Sequence, residues 1–200
     1  MGLAVCVFCS SSSRIDQRYL DLATEVGAEL ARRGHLLVSG GARVSCMGAV
    51  ARAVRAGGGR TVGVIPESIP EVADVDSDEL LVTPDMRSRK AEMDRRADAF
   101  LVLPGGIGTL EELFEIWSAR VLDLHAKPVV ILDPYGLYDP LRELMAHLVE
   151  QRFARPEVFD VVAWTASIPE ALDRLDTAPV RIEPTIEDRV EDGAAGIEPA

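Results

Sequence analysis

Residues 99–112 read AFLVLPGGIGTLEE, and this stretch decides the fold class. Its first five residues are apolar, which is typical of a short strand buried on both faces of a parallel sheet. A proline and three glycines then interrupt the pattern, and a helix is predicted from about Thr109. A buried strand, a glycine turn and a helix in direct succession form the unit from which doubly wound α/β proteins are built.

The same strand-and-helix unit recurs on both sides of this stretch. Helical patterns separate apolar runs that predict further strands at residues 3–8, 35–38, 61–65, 128–132 and 159–163. This alternation predicts an α/β protein, a single-domain, doubly wound, Rossmann-like parallel sheet with helices on both faces.

The chain divides into one predicted domain and a tail. We expect the nucleotide-binding domain to span residues 1–176, and within it residues 66–84 predict a long loop with a short helix or an edge strand. Residues 177–200 mix Pro, Gly, Ala and acidic residues without periodicity, which predicts a disordered acidic tail.

Bulk composition excludes several classes of partner. A net charge of −12 repels the phosphate backbone of nucleic acids, so we expect no nucleic-acid partner. The apolar runs are too short to span a bilayer and the N-terminus lacks signal-peptide features, so we expect a cytoplasmic protein without a membrane partner. An odd count of three cysteines fits a reducing compartment. The three histidines are scattered without ligand spacing, and we predict no metal site.

Two glycine turns, at residues 39–41 and 104–108, locate the expected ligand site. Ligands of doubly wound sheets bind beyond the carboxyl ends of the strands, where both turns fall. Free N–H groups at the start of a helix, together with its dipole, can hold a phosphate. Glycines alone are equally consistent with tight turns that bind nothing. The predicted phosphate and substrate contacts are Gly40, Gly41, Lys90, Gly105, Gly106, Ile107, Gly108, Thr109, Leu110, Glu111 and Ser118.

A basic segment, MRSRK at residues 86–90, opens another predicted helix. Cations are disfavoured at this end of a helix dipole. Either they form a solvated patch, or they point into the site and neutralise a phosphate or a purine leaving group.

The combination of MRSRK at residues 86–90 with PGGIGTLEE at residues 104–112 resembles the LOG (Lonely Guy) family of cytokinin riboside 5′-monophosphate phosphoribohydrolases. The resemblance covers roughly residues 3–176 and includes VCVFCSSS, GVIPE and LHAKPV. The family pattern P-G-G-x-G-T-x-x-E makes Glu112 the matching carboxylate, and the basic motif matches at Arg89 and Lys90. The resemblance implies an N6-modified adenine as the preferred base, and a homodimer.

The chain departs from the family pattern in two places. The family usually has three glycines followed by Gly-Leu-Met-Gly, whereas this chain has GGA at residues 40–42 and SCMG at residues 45–48. The usual Cys-Gly-Ser-Ser is CSSS at residues 9–12. These changes require Ala42 and Ser10 to adopt negative φ angles, or narrow the phosphate site.

The predicted reaction is hydrolysis of the N-glycosidic bond of an adenosine 5′-monophosphate, AMP or N6-isopentenyl-AMP in type, to a free base and ribose 5-phosphate. Glu112 would stabilise oxocarbenium charge and orient water, and Arg89 would stabilise the departing base, with no cofactor.

The alternative is a non-catalytic nucleotide or molybdenum-cofactor carrier of the same fold. A pyridoxal-phosphate lysine decarboxylase, the name in older annotations, is disfavoured because Lys90 and Lys127 are the only lysines. A dinucleotide-dependent dehydrogenase would need the complete G-x-G-x-x-G motif.

Overall fold

A computed structural model describes residues 2–177 of the chain. The predicted acidic tail lies outside these residues except for Thr177, so the tail and the domain limits stay predictions. The strands are β1 (Ala4–Phe8), β2 (Leu36–Ser39), β3 (Thr61–Pro66), β4 (Glu79–Thr83), β5 (Ala99–Val102), β6 (Val129–Leu132) and β7 (Ala163–Thr165). The helices are α1 (Gln17–Arg32), α2 (Ser45–Ala56), α3 (Met86–Arg96), α4 (Ile107–Val121), α5 (Asp139–Glu150) and α6 (Ile168–Thr177).

All seven strands form one parallel sheet in the order β4-β3-β2-β1-β5-β6-β7. The chain steps outward from β1 to β4, and then returns to add β5, β6 and β7 on the other side of β1. The order therefore reverses between β1 and β5, which is the position where doubly wound sheets form a ligand crevice. The predicted fold class is confirmed.

Helices cover both faces of the sheet. One hydrophobic cluster joins the strands to α1, α2 and α6, and includes Leu30, Val50 and Leu172. A second joins the opposite face to α3, α4 and α5, and includes Met93 and Trp117. Strands with apolar side chains on both faces are stable only between two such layers, because water would otherwise contact one face.

Helix α1 begins and ends at the residues that the capping signals in the sequence predict. Asp16 caps α1, and its carboxylate accepts a hydrogen bond from the backbone N–H of Arg18 at 3.0 Å, as expected from its position. Gly34 adopts a φ of 73° just beyond this helix, a conformation that glycine adopts without steric cost. In the acidic loop both expected elements are present, a 3-10 turn at Pro70–Val72 and the edge strand β4.

Some predicted boundaries are wrong. The last strand was expected at residues 159–163 but is β7, Ala163–Thr165, because Pro156 starts a 3-10 helix, Pro156–Phe159. The Val158 carbonyl there accepts a hydrogen bond from the Trp117 indole at 2.8 Å, which holds this segment on α4 rather than in the sheet. Helix α4 begins two residues before the predicted Thr109, so Ile107 and Gly108 are themselves helical.

No helix within residues 2–177 combines the length and the apolar character that crossing a membrane requires.

Candidate active site

A cavity of about 610 Å³ opens at the carboxyl edge of the sheet. Its walls come from the segments that follow β1, β2 and β5, three neighbouring strands, together with the start of α3. The predicted site residues that line it are Gly40, Arg89, Gly106, Ile107, Gly108, Thr109, Glu111 and Glu112. The two glycine turns, 65 residues apart when counted from Gly41 to Gly106, therefore meet in one cavity.

Arg89 and Glu112 form an ion pair in this cavity. The Arg89 Nη1 donates to Glu112 Oε1 at 2.9 Å, and the Arg89 Nε donates to the carbonyl of Val64 in β3 at 3.1 Å. Their side chains are only 7% and 12% exposed. Removing one partner of such a pair leaves the other charge buried without compensation, at a cost of about 3–5 kcal/mol. The pair thus holds α3, α4 and β3 in a fixed arrangement around the cavity.

The environment of Glu112 favours its protonated form more than water does. Burial raises the pKa of the Glu112 carboxyl above its ordinary value, and the nearby Arg89 cation opposes that rise without cancelling it. A carboxyl with a raised pKa inside a cleft is a typical general acid or base, because its affinity for a proton is moved toward neutral pH.

The start of α4 presents backbone N–H groups to the cavity. Gly106 caps the helix, and the N–H groups of the first helical turn have no partner four residues earlier. A Cβ built on Gly106 or on Gly108 would meet nothing within 4 Å, so both glycines leave open space toward the cavity. A phosphate can therefore approach the backbone N–H groups closely, with the helix dipole favouring its charge.

Tyr138 supports this turn from below. Its hydroxyl lies 3.1 Å from the carbonyl of Leu103 and 3.3 Å from the carbonyl of Gly105. Burial raises the pKa of Tyr138, so the hydroxyl keeps its proton and remains a donor. Sequence reasoning missed this residue, since a lone tyrosine 30 residues after the turn carries no local signal.

The second glycine turn packs against the protein itself. A Cβ on Gly40 would overlap the guanidinium of Arg89, and Gly41 has a φ of 69°. The carbonyl of Gly41 accepts from the N–H of Asp74 at 2.7 Å, and Ala42 forms an isolated bridge with Ala73. Ala42 and Ser10 are absent from the positive-φ residues among those described, so their expected negative φ angles are confirmed.

Several predicted contacts lie elsewhere. Lys90 forms ion pairs with Glu111, which also lines the large cavity, and with Glu115. Lys90 does not line the large cavity itself but a second cleft between α3 and α4, which shares Glu112 with it. Although burial opposes its charge, these carboxylates raise the pKa of Lys90. Ser118 is exposed, and its hydroxyl donates to the carbonyl of Glu115 at 3.0 Å. For both residues, a role in substrate binding stays a prediction.

Three further predicted residues also lie outside the lining of the large cavity. Gly105 borders a smaller neighbouring cavity and packs closely on Thr109, Leu110 packs on the hydrophobic core, and Gly41 packs on β3. Their contacts fix the two turns from behind. Direct contact with substrate stays a prediction for them as well.

Sequence reasoning did not select two other parts of the cavity wall. Ser10, Ser11 and Ser12 line it after β1, and the run of small polar residues beyond a buried strand was the available signal. The other part is an apolar wall formed by Val44, Met47, Ile69, Val72 and Met86. These residues come from three segments, so no sequence spacing relates them.

The cysteines and histidines do not form a metal or redox centre within residues 2–177. Cys6 and Cys9 are free thiols that belong to opposite hydrophobic clusters, as expected for alternate positions at a strand end. Burial raises the pKa of both thiols, which disfavours the reactive thiolate.

The chain matches the family model described as "Possible lysine decarboxylase" over residues 47–175. It is 47% identical over 170 residues to a cytokinin riboside 5′-monophosphate phosphoribohydrolase of Mycobacterium tuberculosis, covering 84% of this chain and 90% of that one. It is 41% identical over 174 residues to a probable cytokinin riboside 5′-monophosphate phosphoribohydrolase of Oryza sativa subsp. japonica, covering 86% of this chain and 71% of that one.

Among solved structures, the chain is similar to the molybdenum cofactor carrier protein of Chlamydomonas reinhardtii. The TM-score is 0.67 with 21% identity, and the match covers 89% of this chain and 98% of that one. At this identity the likeness concerns the fold alone. It indicates that the parallel sheet and its helices form a scaffold on which different sites are built.

Proposed function

This chain belongs to the LOG family of cytokinin riboside 5′-monophosphate phosphoribohydrolases, and we propose that it hydrolyses the N-glycosidic bond of N6-modified adenosine 5′-monophosphates. In this reaction the bond between C1′ and the base nitrogen breaks, and the oxygen of one water bonds to C1′. One proton of that water ends on the base, and the products are the free base and ribose 5-phosphate. The observation that carries the proposal is the buried Arg89–Glu112 pair beside the open N-terminus of α4.

We assign two roles to Glu112: it stabilises the positive charge on the ribose, and it takes a proton from the attacking water. As C1′ loses the base it gains positive charge, which a carboxylate within a low-dielectric cavity stabilises strongly. The same carboxylate takes a proton from the attacking water, and its raised pKa suits it to that task. Glu111 is 54% exposed and paired with Lys90, so it lacks this environment.

We assign to Arg89 the stabilisation of the departing base. Its Nε and Nη1 are used by Val64 and Glu112, which fixes the guanidinium plane beside the cavity. A planar guanidinium held in this way offers its remaining N–H groups to a nitrogen that becomes more basic as the bond breaks. The fixed orientation avoids reorganisation during the reaction.

The lining of the cavity has a polar part and an apolar part, and these suit the two parts of a nucleotide. The N–H groups at the start of α4, the Thr109 hydroxyl and the serines at residues 10–12 can donate hydrogen bonds to the 5′-phosphate. The apolar wall around Met47, Ile69 and Met86 suits an adenine that carries an apolar N6 substituent. We propose this orientation, with the glycosidic bond near Arg89 and Glu112.

We also propose a cytoplasmic homodimer. Helix α4 carries the exposed apolar side chains of Ile107 and Phe114, which are 85% and 39% exposed, and Leu122 directly after the helix is 65% exposed. Exposed apolar residues at helical spacing favour contact with a partner, and a second copy is the partner that the family resemblance implies. The three free thiols favour a reducing compartment.

The proposal is tested by incubating the protein with AMP and with isopentenyladenosine monophosphate and measuring free base by chromatography. Glu112→Gln should lower kcat by about 10²–10⁴-fold, because the amide still accepts from Arg89 but cannot carry the proton. Glu115→Gln is the matched control, because Glu115 also lies on α4 and pairs with Lys90 but does not line the large cavity, and it should stay within about threefold of wild type.

The carrier alternative makes a different prediction for the same experiment. A carrier would bind the nucleotide, as seen by calorimetry, yet release no base from either substrate. Equal activity of Glu112→Gln and wild type would instead show that the carboxylate has been assigned wrongly.

A further inference from the structure

Ser45, the first residue of α2, has an unusual backbone conformation. Its φ is 48°, in the left-handed region that residues with a side chain rarely adopt. The other non-glycine residues with positive φ among those described are Asp123 and Arg152, which follow the ends of α4 and α5. A left-handed residue is common just after a helix but not at its first residue. Ser45 therefore stores strain at a position where helix geometry does not require it.

The Ser45 side chain connects two segments of the chain. Its hydroxyl donates to the carbonyl of Ser12 at 2.6 Å, a short and well-formed hydrogen bond. The next residue makes a parallel contact, because the Cys46 thiol lies 3.4 Å from the carbonyl of Tyr19. The start of α2 is thus bonded to the segment between β1 and α1 and to the first turn of α1.

The segment that Ser45 holds is part of the cavity wall. Ser10 and Ser12 line the cavity, and the Ser10 hydroxyl oxygen accepts from the backbone N–H of Ser12 at 3.1 Å. Ser45 itself does not line the cavity. Any effect of Ser45 on a ligand therefore passes through the position of this serine segment.

Position matters here because the donors at this end of the cavity are neutral. The cation that lines the cavity among residues 2–177 is Arg89, and Glu112 already occupies it. Phosphate binding then depends on hydroxyl and N–H groups, whose hydrogen bonds weaken steeply when the angle is poor. A wall that moved by a fraction of an ångström would lose several of them together.

We propose that Ser45 is a positioning residue that holds the serine segment, residues 10–12, in the geometry that binds the 5′-phosphate. This inference rests on the proposed function for the identity of the ligand. It predicts that Ser45 acts on affinity for phosphate-bearing ligands and leaves the chemistry at Glu112 unchanged.

The test compares three substitutions at this position. Ser45→Ala removes the hydroxyl and keeps the strain, and it should raise the KM for AMP and the Ki of ribose 5-phosphate about fivefold, with kcat within about twofold. Ser45→Gly removes both hydroxyl and strain, so it should show the same rise in KM together with a higher Tm. Ser45→Thr keeps the hydroxyl and should keep a KM near that of wild type, while its branched Cβ adds strain at a positive φ and should lower Tm. Ser13→Ala is the control, since Ser13 directly follows the serine segment but does not line the cavity.

The inference is overturned if Ser45→Ala and Ser45→Gly keep the wild-type KM and Ki, or if either variant loses kcat with KM unchanged. Calorimetric binding of ribose 5-phosphate separates this failure from failure of the proposed function. If wild type releases no base but binds ribose 5-phosphate, the proposed reaction fails while the predicted loss of affinity in Ser45→Ala is still measured. If wild type does not bind ribose 5-phosphate, both fail.

Discussion

The two glycine turns of the cavity look alike in sequence and differ in what their glycines do. At residues 104–108, where α4 begins, Gly106 and Gly108 face open space, although Gly105 packs on Thr109. In the turn after β2, Gly40 lies against the Arg89 guanidinium, and Gly41 lies against the backbone of β3 with a φ of 69°. Glycine allows a ligand to approach the backbone in the first turn, and allows the protein to approach itself in the second.

This difference predicts that the same substitution will affect different quantities in the two turns. A methyl group added to the turn before α4 would enter the space that a ligand needs. Added to the turn after β2, it would disturb the protein's own packing. Replacement of single glycines by alanine can therefore distinguish the two roles.

Gly41→Ala should have the largest effect, on stability. Its Cβ would lie 2.9 Å from the backbone nitrogen of Val64, and alanine would have to adopt a positive φ. We expect a loss of about 3 kcal/mol in the free energy of unfolding, measured by urea denaturation. Gly58→Ala is the matched control, because Gly58 has a φ of 78° and open space around it. It should lose only about 1–2 kcal/mol, and an equal loss in both variants would contradict the packing role of Gly41.

Gly40→Ala should chiefly reduce turnover. The new methyl group would push the guanidinium of Arg89 out of its buried pair with Glu112. The displaced guanidinium would no longer be oriented toward the departing base, so kcat should fall about 10²-fold, and the weakened ion pair should also lower Tm. Wild-type kcat in a folded variant would show that the orientation of Arg89 is unimportant. Steady-state kinetics and a thermal melt suffice.

Gly108→Ala should chiefly weaken substrate binding. The residue is helical and unobstructed, so alanine should stabilise the fold by about 0.5–1 kcal/mol. The methyl group would nevertheless enter the space beside the N–H groups at the helix start, and we expect KM for AMP to rise about tenfold. A stabilised variant with unchanged KM would mean that no ligand approaches this part of the backbone.

The smallest predicted effect is a shift in the pH profile. The proposed role of Glu112 requires its ionised form, so we expect activity to fall as pH decreases through the raised pKa of this carboxyl. The Arg89 cation lowers that pKa, and displacing Arg89 in Gly40→Ala should raise it further. The acid limb of kcat/KM should therefore move to higher pH in Gly40→Ala and stay in place in Gly108→Ala. Identical acid limbs in the two variants would contradict the coupling of Arg89 to Glu112.

Much of the architecture follows from local pattern. Apolar runs of strand length, a capping Asp16 and the glycine turns predict the order of elements, because these signals act over a few residues. The predicted limits of the last strand were wrong, since Phe159, Val161 and Val162 pack on the core in a 3-10 helix and a loop, and the strand β7 begins only at Ala163. Choosing between those two ways of burying the same residues depends on the position of β6 and α4, which lie more than 25 residues earlier.

The candidate site, too, was predicted from the sequence only in part. The two motifs predict that Arg89, Lys90 and Glu112 all contribute to the site, whereas in the structure Arg89 and Lys90 make different ion pairs. Arg89 lines the cavity and pairs with Glu112, whereas Lys90 lies outside its lining and pairs with Glu111 and Glu115. Consecutive residues of a helix point about 100° apart, so only one of these two neighbouring cations can face the cavity.

The sequence by itself determined the parallel α/β architecture, the turn that opens α4 and the family to which the chain belongs, because each rests on residues adjacent in the chain. Tertiary structure alone decided which glycines face a ligand, which cation faces the carboxylate and how Ser45 reaches the carbonyl of Ser12. Those outcomes depend on distances between segments that are far apart in sequence, and such distances exist only once the sheet has brought the ends of β1, β2 and β5 to one edge.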